Sequence, residues 1–177
     1  MSQLKVNSIV PVGGLPSGAN GGIVQIVNSQ LKTRQTISAS SSFQATGLSA
    51  TITPSSNNSK ILIVVNGVFS VNNSTTTQYM SKFKLYNGST EITDANSTGS
   101  TNNQWKALFE ADINSGASQQ FEMLPVQGDY LYTHGGSAGS AITINLYATS
   151  TVEMFFNGRN QTNFGTTSSM TLMELGG

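Results

Sequence analysis

Phe43-Gln-Ala-Thr-Gly-Leu-Ser-Ala-Thr-Ile-Thr-Pro-Ser-Ser-Asn-Asn-Ser-Lys-Ile-Leu-Ile-Val-Val65 decides the fold. Its first half alternates, with Leu48, Ala50 and Ile52 on one side, which is the period-two pattern of a half-buried strand. Pro54 and the cluster Ser55, Ser56, Asn57, Asn58 then close that strand with a turn. The run from Ile61 to Val65 is continuously apolar, which predicts a strand buried on both faces or central in a sandwich.

The same reading extends in both directions. Alternation or β-branched enrichment predicts strands at 23–27, 79–86, 105–110, 119–124, 130–134, 142–148, 152–156 and 170–175. Asn87-Gly88 is a strong hairpin signal and Asn157-Gly158 a second. No window of 11 residues carries a capped apolar stripe at helical spacing. The expectation is an all-β domain, an antiparallel β-sandwich or jelly roll, over residues 23–177. Residues 1–22 stand apart, because seven Gly and Pro residues fall between Pro11 and Gly22 and interrupt any regular ladder. They read as an extended N-terminal arm and hinge, with Leu4, Val6, Ile9 and Val10 as apolar teeth for docking on another chain. The stretch 90–103 is polar and reads as a long exposed loop.

Composition narrows the function classes. Only 16 of 177 residues are Lys, Arg, Asp or Glu, whereas Ser, Thr and Asn together make 62. An average globular chain is about 25% charged. Solvation here rests on hydroxyls and amides, which favours a structural or adhesive module over acid-base chemistry. The cations are scattered with no basic run, so nucleic-acid binding is not expected. No apolar run reaches the ~18 residues of a membrane span, and no secretory pattern opens the chain, so synthesis in a cytoplasm is expected. The chain has no cysteine, which removes thiolate and disulfide chemistry.

Each candidate for chemistry has a structural explanation beside it. His134, the single imidazole, would need an orienting acid such as Asp129 and a nucleophile to act as a base, and Gly135 and Gly136 make it a turn residue as readily. Asp94 and Asn96 resemble the first ligands of a calcium loop, yet the acidic residue that closes such a loop is missing. The carboxylates Glu110, Asp112, Glu122 and Asp129 offer pairs for glycoside hydrolysis, or exposed ion pairs. Trp105, Tyr79, Tyr86, Tyr130, Tyr132 and Tyr147 suit sugar stacking, or core packing. No catalytic residue, metal or cofactor is assigned. The polar residues Asp94, Asn96, Asn102 and Asn103 in 90–103, with Ser137 and Ser140 in 135–140, are the candidates for host contact, and loops distant from the arm are the expected place for it.

Three stretches resemble one family. The opening Met1-Ser-Gln-Leu-Lys-Val-Asn-Ser-Ile9, the run from Phe43 to Ile63, and Ser169-Met-Thr-Leu-Met-Glu-Leu175 are similar to small virion structural and fibre-like proteins of tailed bacteriophages, especially marine ones. That resemblance implies a non-enzymatic virion β-domain, a homotrimeric knob, fibre or capsid decoration held to tail or capsid proteins through residues 1–22, with host surface glycans as candidate partners. The alternative reading is a lectin-like carbohydrate-binding module.

Overall fold

The computed structural model describes residues 22–72, 79–95, 108–113, 122–161 and 165–176. Among these, every long element is a strand: β1 (Ile23–Leu31), β2 (Gln35–Ile37), β3 (Ser40–Ile52), β4 (Lys60–Val71), β5 (Tyr79–Asn87), β6 (Thr90–Glu91), β7 (Phe109–Ile113), β8 (Leu124–Thr133), β9 (Ile142–Ser150), β10 (Met154–Phe156) and β11 (Ser168–Leu175), with one 3-10 turn at Thr93–Ala95. All pairings are antiparallel, and two sheets pack face to face as a β-sandwich.

In the first sheet β4 is central. Its one edge pairs with β8 along Lys60 to Phe69, and its other edge pairs with β11 over Lys60 to Asn66 and with β10 over Phe69 to Val71. β10 and β11 are therefore one strand width interrupted by residues 157–167, and beyond them β1 pairs β11 while β2 pairs β10. In the second sheet the order is β3–β9–β5, and β6 and β7 share the outer edge of β5. Each sheet is four strand widths across.

Alternation builds the core. Ile61, Ile63 and Val65 of β4, Met170 and Leu172 of β11, Leu48, Ala50 and Ile52 of β3, and Ile144 and Leu146 of β9 all point between the sheets and are buried. Phe83 is the aromatic centre, 5.2 Å from the Phe69 ring in an edge-to-face arrangement and 6.1 Å from Phe156. The Ile61–Val65 run is central, as expected, but buried against the core on one face only, because Leu62 and Val64 point to the outer side.

Other expectations need correction. The stretch 90–103 is not a loop throughout: Thr90–Glu91 returns on β5 as a hairpin whose two-residue loop starts at Gly88 (φ +60°), and Ile92 is buried. Glu122 and Met123 precede β8 instead of lying in a strand over 119–124, and β7 begins only at Phe109; residues 119–121 and 105–107 lie outside the described set. Asn157-Gly158 makes no tight hairpin. Asn157 does take a left-handed φ of +63°, but the strands either side of it lie along the same edge of β4 and do not pair with each other.

Candidate functional site

The register defines two poles. At one, Leu175, Lys60 and Thr133 stand side by side, and the Gly176 amide donates to the Gly22 carbonyl, so the chain preceding Gly22 enters here. The loop 54–59 and the turn 135–140 lie at this same pole, tied by Gly139 N–H to Pro54 O (2.8 Å), Asn58 N–H to Gly136 O (3.2 Å) and Ala138 N–H to Asn57 Oδ1 (2.8 Å). Ser137 and Ser140 are exposed there. This corrects the expectation of host-contact loops distant from the arm, since the 135–140 turn and the described start of the 90–103 stretch, held by Asn87 opposite Ile144 and Gly88 N–H on Thr143 O, both lie at the pole where the arm enters. The far pole carries the end of β4 at Val71 and the starts of β5, β8 and β10.

Leu4, Val6, Ile9, Val10, Asn96, Asn102, Asn103 and Trp105 lie outside the described residues. Asp94 falls in the 3-10 turn that follows the β5–β6 hairpin. That hairpin and edge strand β8 of the opposite sheet enclose an open cleft of about 380 Å³, lined among others by Asn87, Glu91, Thr93, Tyr130, Tyr132 and Thr133. Asn87 Nδ2 donates to the Tyr132 hydroxyl at 3.2 Å, which joins the two walls.

Charge inside this region is internally neutralised. Lys84 Nζ donates to Glu91 Oε1 at 2.8 Å and sits 4.6 Å from the Phe43 ring centroid, so a buried cation has both an anion and an aromatic face. Burial, then the Glu91 and Tyr147 neighbours, and a hydrogen bond to Glu91 push the Tyr86 phenol above its ordinary pKa. Tyr86 and Tyr147 stack with ring centroids 4.2 Å apart on the outer side of the second sheet. The cleft thus offers hydroxyls, an amide and tyrosine rings without a net charge, a chemistry suited to neutral polyols more than to phosphates or metals.

The catalytic alternatives are not assembled by the described residues. His134 is buried, its Nδ1 accepts the Gly136 N–H at 3.1 Å, and its Nε2 lies 3.2 Å from the Ser56 carbonyl, so hydrogen bonding assigns a neutral ring protonated on Nε2. Both nitrogens serve the backbone of the turn, and Asp129 is exposed on β8 instead of orienting the ring. Glu122 stands near the buried Tyr79 phenol, which burial and that carboxylate push up to about 12; Glu110 and Asp112 fall in β7. Among the described residues no three His, Cys, Asp or Glu side chains gather to hold a metal. No described helix is long and apolar enough to cross a membrane.

One group was overlooked. Glu174 shares the inward face of β11 with Met170 and Leu172, a position that period-two alternation alone would have marked as an acid on an apolar face. It is 1% exposed, and its carboxylate accepts from Gln25 Nε2 (2.6 Å), Ser55 N–H (2.8 Å), Ser55 Oγ (2.9 Å) and Ser59 Oγ (2.6 Å). Burial alone would raise its pKa; the hydrogen bonds from Ser59, Gln25 and Ser55 outweigh that and hold it at about 2. The arrangement buttons the 54–59 loop to β1 beside the arm's entry point. Compared with known proteins, the chain matches no family model and no curated protein.

Proposed function

We propose that this chain is a non-enzymatic structural protein of a tailed-bacteriophage virion, an oligomeric knob, fibre or decoration domain held to tail or capsid through residues 1–22. The observation that carries the reading is the placement of Gly22: the Gly/Pro-rich segment with Leu4, Val6, Ile9 and Val10 joins the sandwich at one pole, leaving the other pole facing away. Strand order adds support. Counting each interrupted strand width once, the sheets read 1-8-3-6 and 2-7-4-5, an order that supports the jelly-roll reading. The near absence of charge and the resemblance of the three quoted stretches point the same way.

Deletion of residues 1–21, which retains the Gly22 carbonyl that accepts from Gly176, is expected to leave thermal unfolding nearly unchanged and to remove the protein from purified phage particles. Mass spectrometry of particles grown with the truncated chain is the check. Normal incorporation of the truncated protein would overturn the anchoring role.

A lectin-like reading is favoured by one observation, the uncharged cleft at Asn87 and Tyr132. Titration with neutral oligosaccharides is expected to give dissociation constants in the millimolar range, about −4 kcal/mol. Binding should change little with salt, because Lys84 and Glu91 already neutralise each other. Asn87→Ala should weaken it several-fold, and an unaltered affinity in that variant rules the cleft out as the sugar site.

A further inference from the structure

One row across the outer face of the first sheet is apolar, although the rows beside it carry Asn28, Thr171, Asn66, Gln127 and Asp129 as a solvated face ordinarily does. Ile26 on β1 stands opposite Met173 on β11, Met173 opposite Leu62 on β4, and Leu62 opposite Leu131 on β8. One apolar side chain per strand therefore crosses the full width, about 14 Å at the usual strand spacing. Ile26 is 58% exposed and Leu131 45%; Ile23 and Val24 extend the row at its β1 corner, at 54% and 52%. Of the five large hydrophobics exposed among the described residues, these are four, and Met123 is the fifth. Scattered exposed apolar residues need no explanation, but a contiguous row does.

We infer that a second copy of this chain packs on this face. Two observations select that occupant. Lys60 and Asp129 border the row on opposite sides, four residues apart along the strands or about 13 Å, so the face carries one charge of each sign around an apolar centre. A uniformly acidic or basic partner is repelled by one of them, whereas another copy brings the matching pair. The chain's formal net charge is zero, so copies meet without overall repulsion. Matching Lys60 of one copy to Asp129 of the other sets their strands antiparallel, so the two arms, entering at Gly22 beside the Ile23 and Val24 corner, leave at opposite ends of the shared face. The inference rests on the oligomeric part of the reading above and names the surface that produces it.

Sedimentation at micromolar concentration, with circular dichroism on the same samples, tests it. The full-length chain and Met123→Asp are expected at a multiple of 18.6 kDa. Ile26→Asp and Leu131→Asp, both at outward positions, are expected at the single-chain mass with unchanged strand spectra. Because the chain has no cysteine, Leu131→Cys adds a single reporter thiol. Its reaction with a maleimide should be at least tenfold slower alone than in combination with Ile26→Asp. If both Asp variants keep the multimeric mass and the thiol reacts equally fast in either background, the face is wrong while oligomerisation stands. A single-chain mass for the unmodified protein removes both, and the particle assay still decides the virion role independently.

Discussion

Replacing Glu174 by Gln is expected to lower unfolding free energy by about 2–4 kcal/mol at neutral pH, since hydrogen bonds to a charged acceptor contribute roughly 1.5–3 kcal/mol each and orphaned buried donors cost more. The carboxylate accepts four hydrogen bonds, and an amide can present only one oxygen to them. In a chain of this length the loss corresponds to roughly 4–16 °C in melting temperature. The effect has a defined acid dependence. The folded pKa, about 2, lies below the ordinary 4.5, so the unfolded chain takes up the proton first on acidification. The stabilisation is therefore complete above pH 4.5 and is lost as pH falls from there toward 2. Urea unfolding of both proteins across that window should show their difference shrinking with acid. A gap below 0.5 kcal/mol at pH 7 by order of magnitude, or one that widens on acidification, contradicts the buttoned-loop description.

Asn157→Ala is expected to cost about 3–5 kcal/mol, in the range of the most damaging single substitutions. Its Nδ2 donates to Leu31 O (2.9 Å) and Thr33 O (3.2 Å), and its Oδ1 accepts from Thr166 Oγ1 and Ser168 Oγ, both at 2.9 Å. One buried amide thus closes the break between β1 and β2 and the break between β10 and β11 at once. Removing it strands two carbonyls, each at roughly 1–3 kcal/mol. The left-handed φ of +63° adds about 1 kcal/mol for alanine that glycine avoids. Asn157→Gly should consequently be less harmful than Ala by about that amount. Asn157→Asp should be the worst of the three, since a carboxylate oxygen then faces the two carbonyls. Chemical denaturation of the set is the measurement, and an Ala variant within about 1 kcal/mol of the parent would show that the breaks hold themselves.

The strands legible in the sequence are those long enough to show a period. Alternation located most of β3, β5, β9 and β11, and the Ile61–Val65 run located the centre of the first sheet. β2 and β6 span three residues or fewer, too short for any window, and β2 exists because of what pairs with it, whereas β10 falls inside the strand expected at 152–156. The Asn157-Gly158 signal was correct about a left-handed backbone and misleading about the chain path, because the path is set by β4, some ninety residues earlier. The cleft follows the same logic: Asn87 and Tyr132 are 45 residues apart, and no local pattern announces that they meet. Glu174 stands on the apolar side of an alternating strand, a signal that the sequence reading did not use.

The pairing of β1 with β11 also sets how the domain carries load. β1 runs from Gly22 inward, and β11 pairs with it from Ile23 opposite Leu175 to Leu31 opposite Ser168, with one register shift between Ile23 and Gln25. A pull transmitted through the preceding residues acts along the strand axis, so the rungs of this ladder are sheared together and do not peel one at a time. The last rung is backed by the Asn157 amide on the Leu31 carbonyl, and the first region is backed by Glu174 on Gln25. The strand that takes such a pull is thus fastened at both of its ends by side chains from other strands.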